Sequence, residues 1–317
     1  MEQTVRGKRP KPENMNPSSE QEHVAVYREK ITDEICKALG FSSTGMMRRL
    51  LGPLFRLPTN RFGRIAACVD NEVGSSGLSG GASRILQDLS LEVTARGTEN
   101  IPLDGPLLVV SNHPGAFDSV AILSCIPRKD VKVLLSDVPF TRAFVSARRY
   151  FIYVPPDASG RMTTLRASID HLKTGGTLLI FAHGDVEPDP EVSPGADGCI
   201  QDWSRSIELM LRKVQDCRVQ VTIVSGALIR KFVVSPVVKI QKTAAKRQKL
   251  AEFLQIIRQM AFARGDKTHV HISFAEPVRG MDLARGETMS AVIDIARRLL
   301  KDHLESLEIH SKICTKA

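Results

Sequence analysis

No stretch of the 317 residues approaches the ~20 consecutive apolar positions needed to cross a bilayer, so any membrane contact is expected to be peripheral. The six cysteines, at 36, 68, 125, 199, 217 and 314, form no C-x-x-C pair. Their spacing suits neither a zinc site nor a disulfide framework, and a reducing cytoplasm fits them best. Aromatics are only 5% of the chain, with a single Trp. The interleaved aromatic and basic residues of a single-strand nucleic-acid binder are missing, and no nucleic-acid partner is expected. The opening residues, MEQTVRGKRPKPENMNPSSE, hold no apolar core of a secretory signal.

What is present is an ordinary globular balance, with 42% hydrophobic residues and 44 Lys+Arg against 35 Asp+Glu, a formal net charge of +9. Such an excess favours anionic partners, namely phospholipid headgroups, nucleic acid, coenzyme A phosphates or an acidic carrier protein, with plain solubility as the alternative reading of the charge. Short apolar runs alternate with helix-length segments. The runs Leu91–Ala95, Leu107–Ser111, Val131–Leu135, Phe151–Val154, Thr177–Ala182, Val219–Ser225, Val233–Ile240 and His269–Phe274 read as strands. Helices are expected over Val24–Leu39, Asp118–Cys125, Arg161–Thr174, Trp203–Val214, Ala244–Ala263 and Thr288–Leu307. This alternation predicts an α/β fold with a mixed, largely parallel central sheet covered by helices. The expected organisation is a disordered tail over 1–22, a helical segment over 23–89, an α/β domain over 90–280 and a C-terminal helix over 281–317.

Residues 46–57, MMRRLLGPLFRL, mix large apolar side chains with Arg and read either as a basic amphipathic element on anionic lipid or as a helix pair broken at Gly52-Pro53. The stretch GSSGLSGG, 74–81, contains a formal G-x-S-x-G, but no strand leads into it, and it reads as a flexible linker. Residues 185–191, acidic and Pro-containing, read as a solvated loop, with a lid as the alternative.

The chemistry concentrates at Leu107–Asp118, LLVVSNHPGAFD. A buried strand runs out, His113 stands just past its carboxyl end, Pro114-Gly115 make a turn, and Asp118 opens the next helix. Loops at the carboxyl ends of strands are where α/β enzymes place their sites. A neutral imidazole can take the proton of an attacking hydroxyl, and a carboxylate on its other nitrogen fixes the tautomer and stabilises the imidazolium. No Ser or Cys nucleophile is needed when the acceptor's own hydroxyl attacks.

Residues Gly97 to Ser119, GTENIPLDGPLLVVSNHPGAFDS, resemble the opening block of the glycerol-phosphate and lysophosphatidate acyltransferases, with their N-H-x4-D motif. The resemblance extends more weakly over roughly 90–280. It implies a glycerophospholipid acyltransferase-like fold, with His113 as general base and Asp118 as its orienting partner. It also implies an acyl group delivered by acyl-coenzyme A or acyl carrier protein, a polar lipid acceptor, no cofactor beyond that thioester, and an anionic membrane surface at the inner face of the cell membrane.

Later blocks depart from the family. Val154-Pro155 stand where an Arg is expected after Tyr150–Val154, with Arg149 and Arg161 near enough in sequence to replace it. The Phe-Pro-Glu-Gly-Thr-Arg block is here Phe181-Ala182-His183-Gly184-Asp185-Val186. The prolines of the fourth block are absent from Val221–Gly226, whereas His271–Pro277 resembles the late strand ending in Gly-Glu-Pro. The missing Arg and Glu are those associated with a phosphate-bearing acceptor, so the expectation is a retained reaction with a changed acceptor. Candidate substrate-binding residues are Asn112, Gly115, Phe181, His183, Gly184, Arg149 and Arg161. The basic residues Lys129, Lys132, Arg142, Arg148 and Arg149 are candidates for steering the donor, and Lys242, Lys246, Arg247 and Lys249 read as a helix surface. Two alternatives remain: an inactive lipid- or carrier-binding protein of the same fold, and a metal-assisted hydrolase on His113, Asp118, His183 and Asp185. No resident metal is expected, because neither pair has a usual ligand spacing.

Overall fold

The computed structural model describes residues 2–4, 17–38, 53, 55–155, 157–193, 195–262, 267–283 and 287–314. The strands are β1 (Glu2–Thr4), β2 (Glu92–Arg96), β3 (Leu107–Ser111), β4 (Val131–Ser136), β5 (Phe151–Val154), β6 (Thr177–Phe181), β7 (Arg218–Ser225), β8 (His269–Phe274) and β9 (Val278–Arg279). They form one sheet in the order β1-β2-β8-β7-β3-β6-β4-β5, with β9 also on β7. The β7–β8, β7–β9 and β1–β2 pairs are antiparallel and the others parallel. The main helices are α1 (Pro17–Ala38), α2 (Arg56–Leu89), α3 (Asp118–Cys125), α4 (Ala158–Lys173), α5 (Ser206–Lys213), α6 (Ala244–Ala261) and α7 (Thr288–Cys314).

Every residue of β3 is buried because the strand lies between β6 and β7 with both faces covered. Alternation divides its side chains. Leu107 and Val109 join the core under α2 and α3, while Leu108 and Val110 join the core under α5 and α7. The N-terminal helices and the C-terminal helix are therefore part of the domain's packing. Val69, Val73, Leu78 and Leu86 of α2 sit in the first core, and Val292, Ala296 and Leu300 of α7 in the second.

Several expectations need correction. Glu2–Thr4, placed in a disordered tail, forms β1 on the open edge of β2, where unpaired backbone groups are available, and α1 begins at Pro17. Residues 5–16, and most of 46–57, lie outside the described residues. The Gly/Ser stretch 74–81 is helical within α2, with a kink at Gly77 (φ 75°, ψ −173°). Glycine in a helix costs up to about 1 kcal/mol per residue, which tertiary packing of Leu78, Ala82 and Leu86 offsets. Val233–Ile240 is not a strand but parts of two single turns, Arg230–Val233 and Pro236–Lys239. Pro236 has no N–H for a ladder and starts the second turn, with Phe232 and Val238 turned inward.

Candidate active site

Register fixes the geometry. Ser111 of β3 pairs with Phe181 of β6, so His113 and His183, each two residues further on, emerge at the same edge of the sheet. Asn112 extends the pairing by one step on the other side. Its amide donates to the Val224 carbonyl (2.9 Å) and accepts from the Val224 N–H (2.8 Å), which fixes the chain just before His113. Asn112 is thus buried and committed to the backbone.

The Pro114-Gly115 turn brings Asp118 back onto the imidazole, with His113 Nδ1 to Asp118 Oδ2 at 2.7 Å. Asp118 is fully buried and accepts also from the Gly115 N–H (3.2 Å) and the Ser119 N–H. The Phe181 ring stacks on the imidazole, with centroids 4.3 Å apart. With Nδ1 occupied and the ring held from one face, Nε2 is the nitrogen left for a substrate.

A further carboxyl group holds the backbone of this pair. Glu187 accepts from the His113 backbone N–H (2.8 Å) and from Trp203 Nε1 (3.2 Å), and its own N–H donates to the His113 carbonyl (2.7 Å). Gln248 of α6 donates to the carbonyls of Pro114 (2.9 Å) and Glu187. Asp189, also buried, accepts from the backbone N–H groups of Gly226 (3.1 Å) and Leu228 (3.0 Å). The acidic stretch 185–191 is accordingly no solvated loop: Glu187 and Asp189 turn inward to satisfy backbone donors around the site.

Burial alone would lower the His113 pKa. The charge and hydrogen bond of Asp118, with Glu252 and Glu187 adding, override it and raise the imidazole to about 9. Glu252 of α6 is pushed up to about 7, first by burial and then by the charge of Asp118. Because Glu252 favours the imidazolium, Glu252→Gln should move the titration of His113 to lower pH. NMR of the imidazole C–H resonances against pH checks this; an unmoved midpoint would disconnect Glu252 from the site.

His113 lines a cavity of about 960 Å³, near the upper end for small-ligand sites. Val69, Val73, Leu78, Gly81 and Ala82 of α2 wall one part, and small side chains there leave the space open. Phe181, His183, Gly184 and Arg161 also line it, whereas Asn112, Gly115 and Arg149 do not. Arg149 instead lies over the Tyr150 ring (5.0 Å) and donates to the Gly74 carbonyl (3.4 Å). His183 Nδ1 is buried with no hydrogen-bond partner among the described residues. Arg142 is engaged by Asp137 through two hydrogen bonds of 2.7 Å. Asp185 pairs with Lys249 (2.8 Å), and among the described residues no three His, Cys, Asp or Glu side chains gather into a metal-binding group.

Residues 92–225 match the family model described as Acyltransferase, a span that runs from β2 through β7 and includes His113 and His183. No curated protein matches the chain. Among solved structures, the chain is similar to the 1-acyl-sn-glycerophosphate (LPA) acyltransferase, PlsC, from Thermotoga maritima. That likeness has 15% identity and a TM-score of 0.45, over 90% of this chain and 98% of that one.

Sequence reasoning missed Glu187, Gln248 and Glu252 in this candidate site. A signal for α6 existed: Gln248, Glu252, Gln255 and Gln259 follow at spacings of four, three and four, one helical face. Three of them are buried, with Gln255 bonded to the Ile229 N–H and the Ala227 carbonyl.

Proposed function

We propose that the protein transfers a fatty acyl group from an acyl thioester, carried on coenzyme A or acyl carrier protein, to a hydroxyl of a lysophospholipid, glycerol phosphate or related polar lipid. The observation that carries this reading is the His113–Asp118 pair at the wall of a large cavity lined by apolar side chains. The acyl chain would lie along α2, and the acceptor hydroxyl beside His113 Nε2. As the hydroxyl oxygen attacks the thioester carbonyl, its proton passes to Nε2 and a tetrahedral oxyanion forms. Arg161 and Lys249, both lining the cavity, and backbone N–H groups are available to stabilise that charge. Collapse breaks the C–S bond, and the imidazolium returns the proton to the departing sulfur, leaving an ester and a free thiol. A His113 pKa of about 9 is close to that of an ordinary thiol, ~8.5, so this last transfer is nearly balanced.

The free Nδ1 of His183 supports a polar contact to the acceptor in place of the family's usual Glu. Among the described residues no helix is long and apolar enough to cross a membrane, and the same reading has the protein working peripherally at the inner face of the cell membrane.

Incubation with a labelled palmitoyl thioester and a polar-lipid extract should yield an acylated lipid and an equal amount of thiol. Free fatty acid as the main product would make the protein a hydrolase. Binding without thioester loss would make it a binding protein of the same fold. The cavity wall gives a second test. Ala82→Phe should lower kcat/KM for palmitoyl at least ~10-fold relative to octanoyl thioester, because it occupies the space of the longer chain. An unchanged ratio would put the acyl chain elsewhere.

A further inference from the structure

One surface is left unexplained by the reaction. From Ile229 to Lys249 the chain carries seven basic residues (Arg230, Lys231, Lys239, Lys242, Lys246, Arg247 and Lys249) and no Asp or Glu. The two single turns at its start hold to α6 through Phe232 and Val238, packed with Ala251. That leaves Val234, Val237 and Ile240 on the outside, 49%, 55% and 78% exposed. Burying them against α6 as well is ruled out by the turn geometry, since Phe232 and Val238 already fill that side.

We infer that this segment is the face with which the protein docks on an anionic lipid surface. Exposed aliphatic side chains flanked by cations, with no acidic residue interposed, are what insertion into the headgroup layer of a negatively charged bilayer requires. Position agrees. Gln248 bonds the carbonyl of Pro114 beside His113, and Lys249 lines the cavity with Asp185, so the N-terminal part of α6 joins the basic surface to the site. Docking here would hold the cavity against the headgroups from which an acceptor enters. The inference rests on the reading that the acceptor is a bilayer lipid.

The test is co-sedimentation of the full chain with vesicles of phosphatidylcholine alone and of phosphatidylcholine with an equal amount of phosphatidylglycerol. The wild type should partition onto the anionic vesicles, and less so as salt is raised. Two triple variants, V234S/V237S/I240S and K239E/K242E/K246E, should each lose at least ~10-fold in partition. Both should retain wild-type melting temperatures and wild-type rates on short-chain, water-soluble substrates. Variants that sediment like the wild type, or a wild type that ignores headgroup charge, would overturn the inference. So would variants that keep vesicle binding but no longer saturate with acyl carrier protein, since the face would then be a protein-docking one. A wild type that binds anionic vesicles but never transfers acyl groups would sink the proposed reaction and leave the docking face standing.

Discussion

Replacing His113 by alanine should cut acyl transfer about 10²- to 10⁴-fold, the range for loss of a positioned proton acceptor. The argument is local. His113 presents one nitrogen to the cavity because the other is bound to Asp118, and without the imidazole no other described group occupies that place. Asp118→Asn should cost a similar factor by a different route. An asparagine at this position keeps an oxygen for the Gly115 and Ser119 N–H groups or for the ring, but it carries no charge to stabilise the imidazolium. Neither change empties the core, so both variants should bind acyl thioester as the wild type does. Rates under saturating donor, with binding measured separately, check this; near wild-type turnover by either variant would remove the pair from the chemistry.

Asp70→Ala should destabilise the protein by about 3–5 kcal/mol, the sum of leaving its donors unsatisfied at about 1–3 kcal/mol for each buried one. Asp70 of α2 is buried and accepts from four groups: the Tyr27 hydroxyl (3.0 Å) and the backbone N–H groups of Val145 (2.9 Å), Ser146 (3.0 Å) and Ala147 (2.8 Å). It ties α1 and the 145–147 turn to the helix that walls the cavity. Burial, and then the Asp70 charge, raise the Tyr27 pKa above its usual range, so the hydroxyl stays a donor. Alanine leaves two buried donors, the Tyr27 hydroxyl and the Ala147 N–H, and two part-buried ones without this acceptor. At roughly 2 °C per kcal/mol for a chain of this size, the melting temperature should fall by about 6–10 °C. Asp70→Asn, which keeps one acceptor oxygen, should lose less. A loss under 1 kcal/mol for the alanine variant would mean that water enters freely at this point.

What the sequence disclosed about this fold follows from where burial is strongest. β3, β5, β8 and α3 begin and end where the residue pattern puts them; for β3 this is because a strand covered on both faces is a continuous apolar run, and for α3 because a helix-opening Asp marks its own start. The histidine, the turn and the Asp that follows were legible for the same reason: strand, loop and helix leave only one place for them. The rest depended on contacts distant in sequence. Gly77, Gly80 and Gly81 gave every local sign of a linker, and only packing of their helix against the sheet places Gly81 in the cavity wall. Glu187 and Asp189 looked solvated because their partners, the backbones of His113, Gly226 and Leu228, lie far away along the chain. The run from Val233 to Ile240 had the composition of a strand, but its apolar residues divide between α6 and the outside. Glu252 stood out in no local pattern except the polar face it shares with Gln248, Gln255 and Gln259.

The central claim is that the acceptor hydroxyl loses its proton to a histidine made more basic by its carboxylate neighbours. Its most direct test is the pH dependence of kcat/KM for acyl transfer by the wild type and by His113→Ala. Burial lowers the His113 pKa but Asp118 outweighs it, so the free protein holds the imidazole protonated below about 9, and only the neutral ring can accept a proton. The wild-type rate should therefore rise about tenfold per pH unit from near pH 6 and level off near 9, while the residual rate of His113→Ala shows no such break. A flat wild-type profile over that range, or the same break in the variant, would contradict the account.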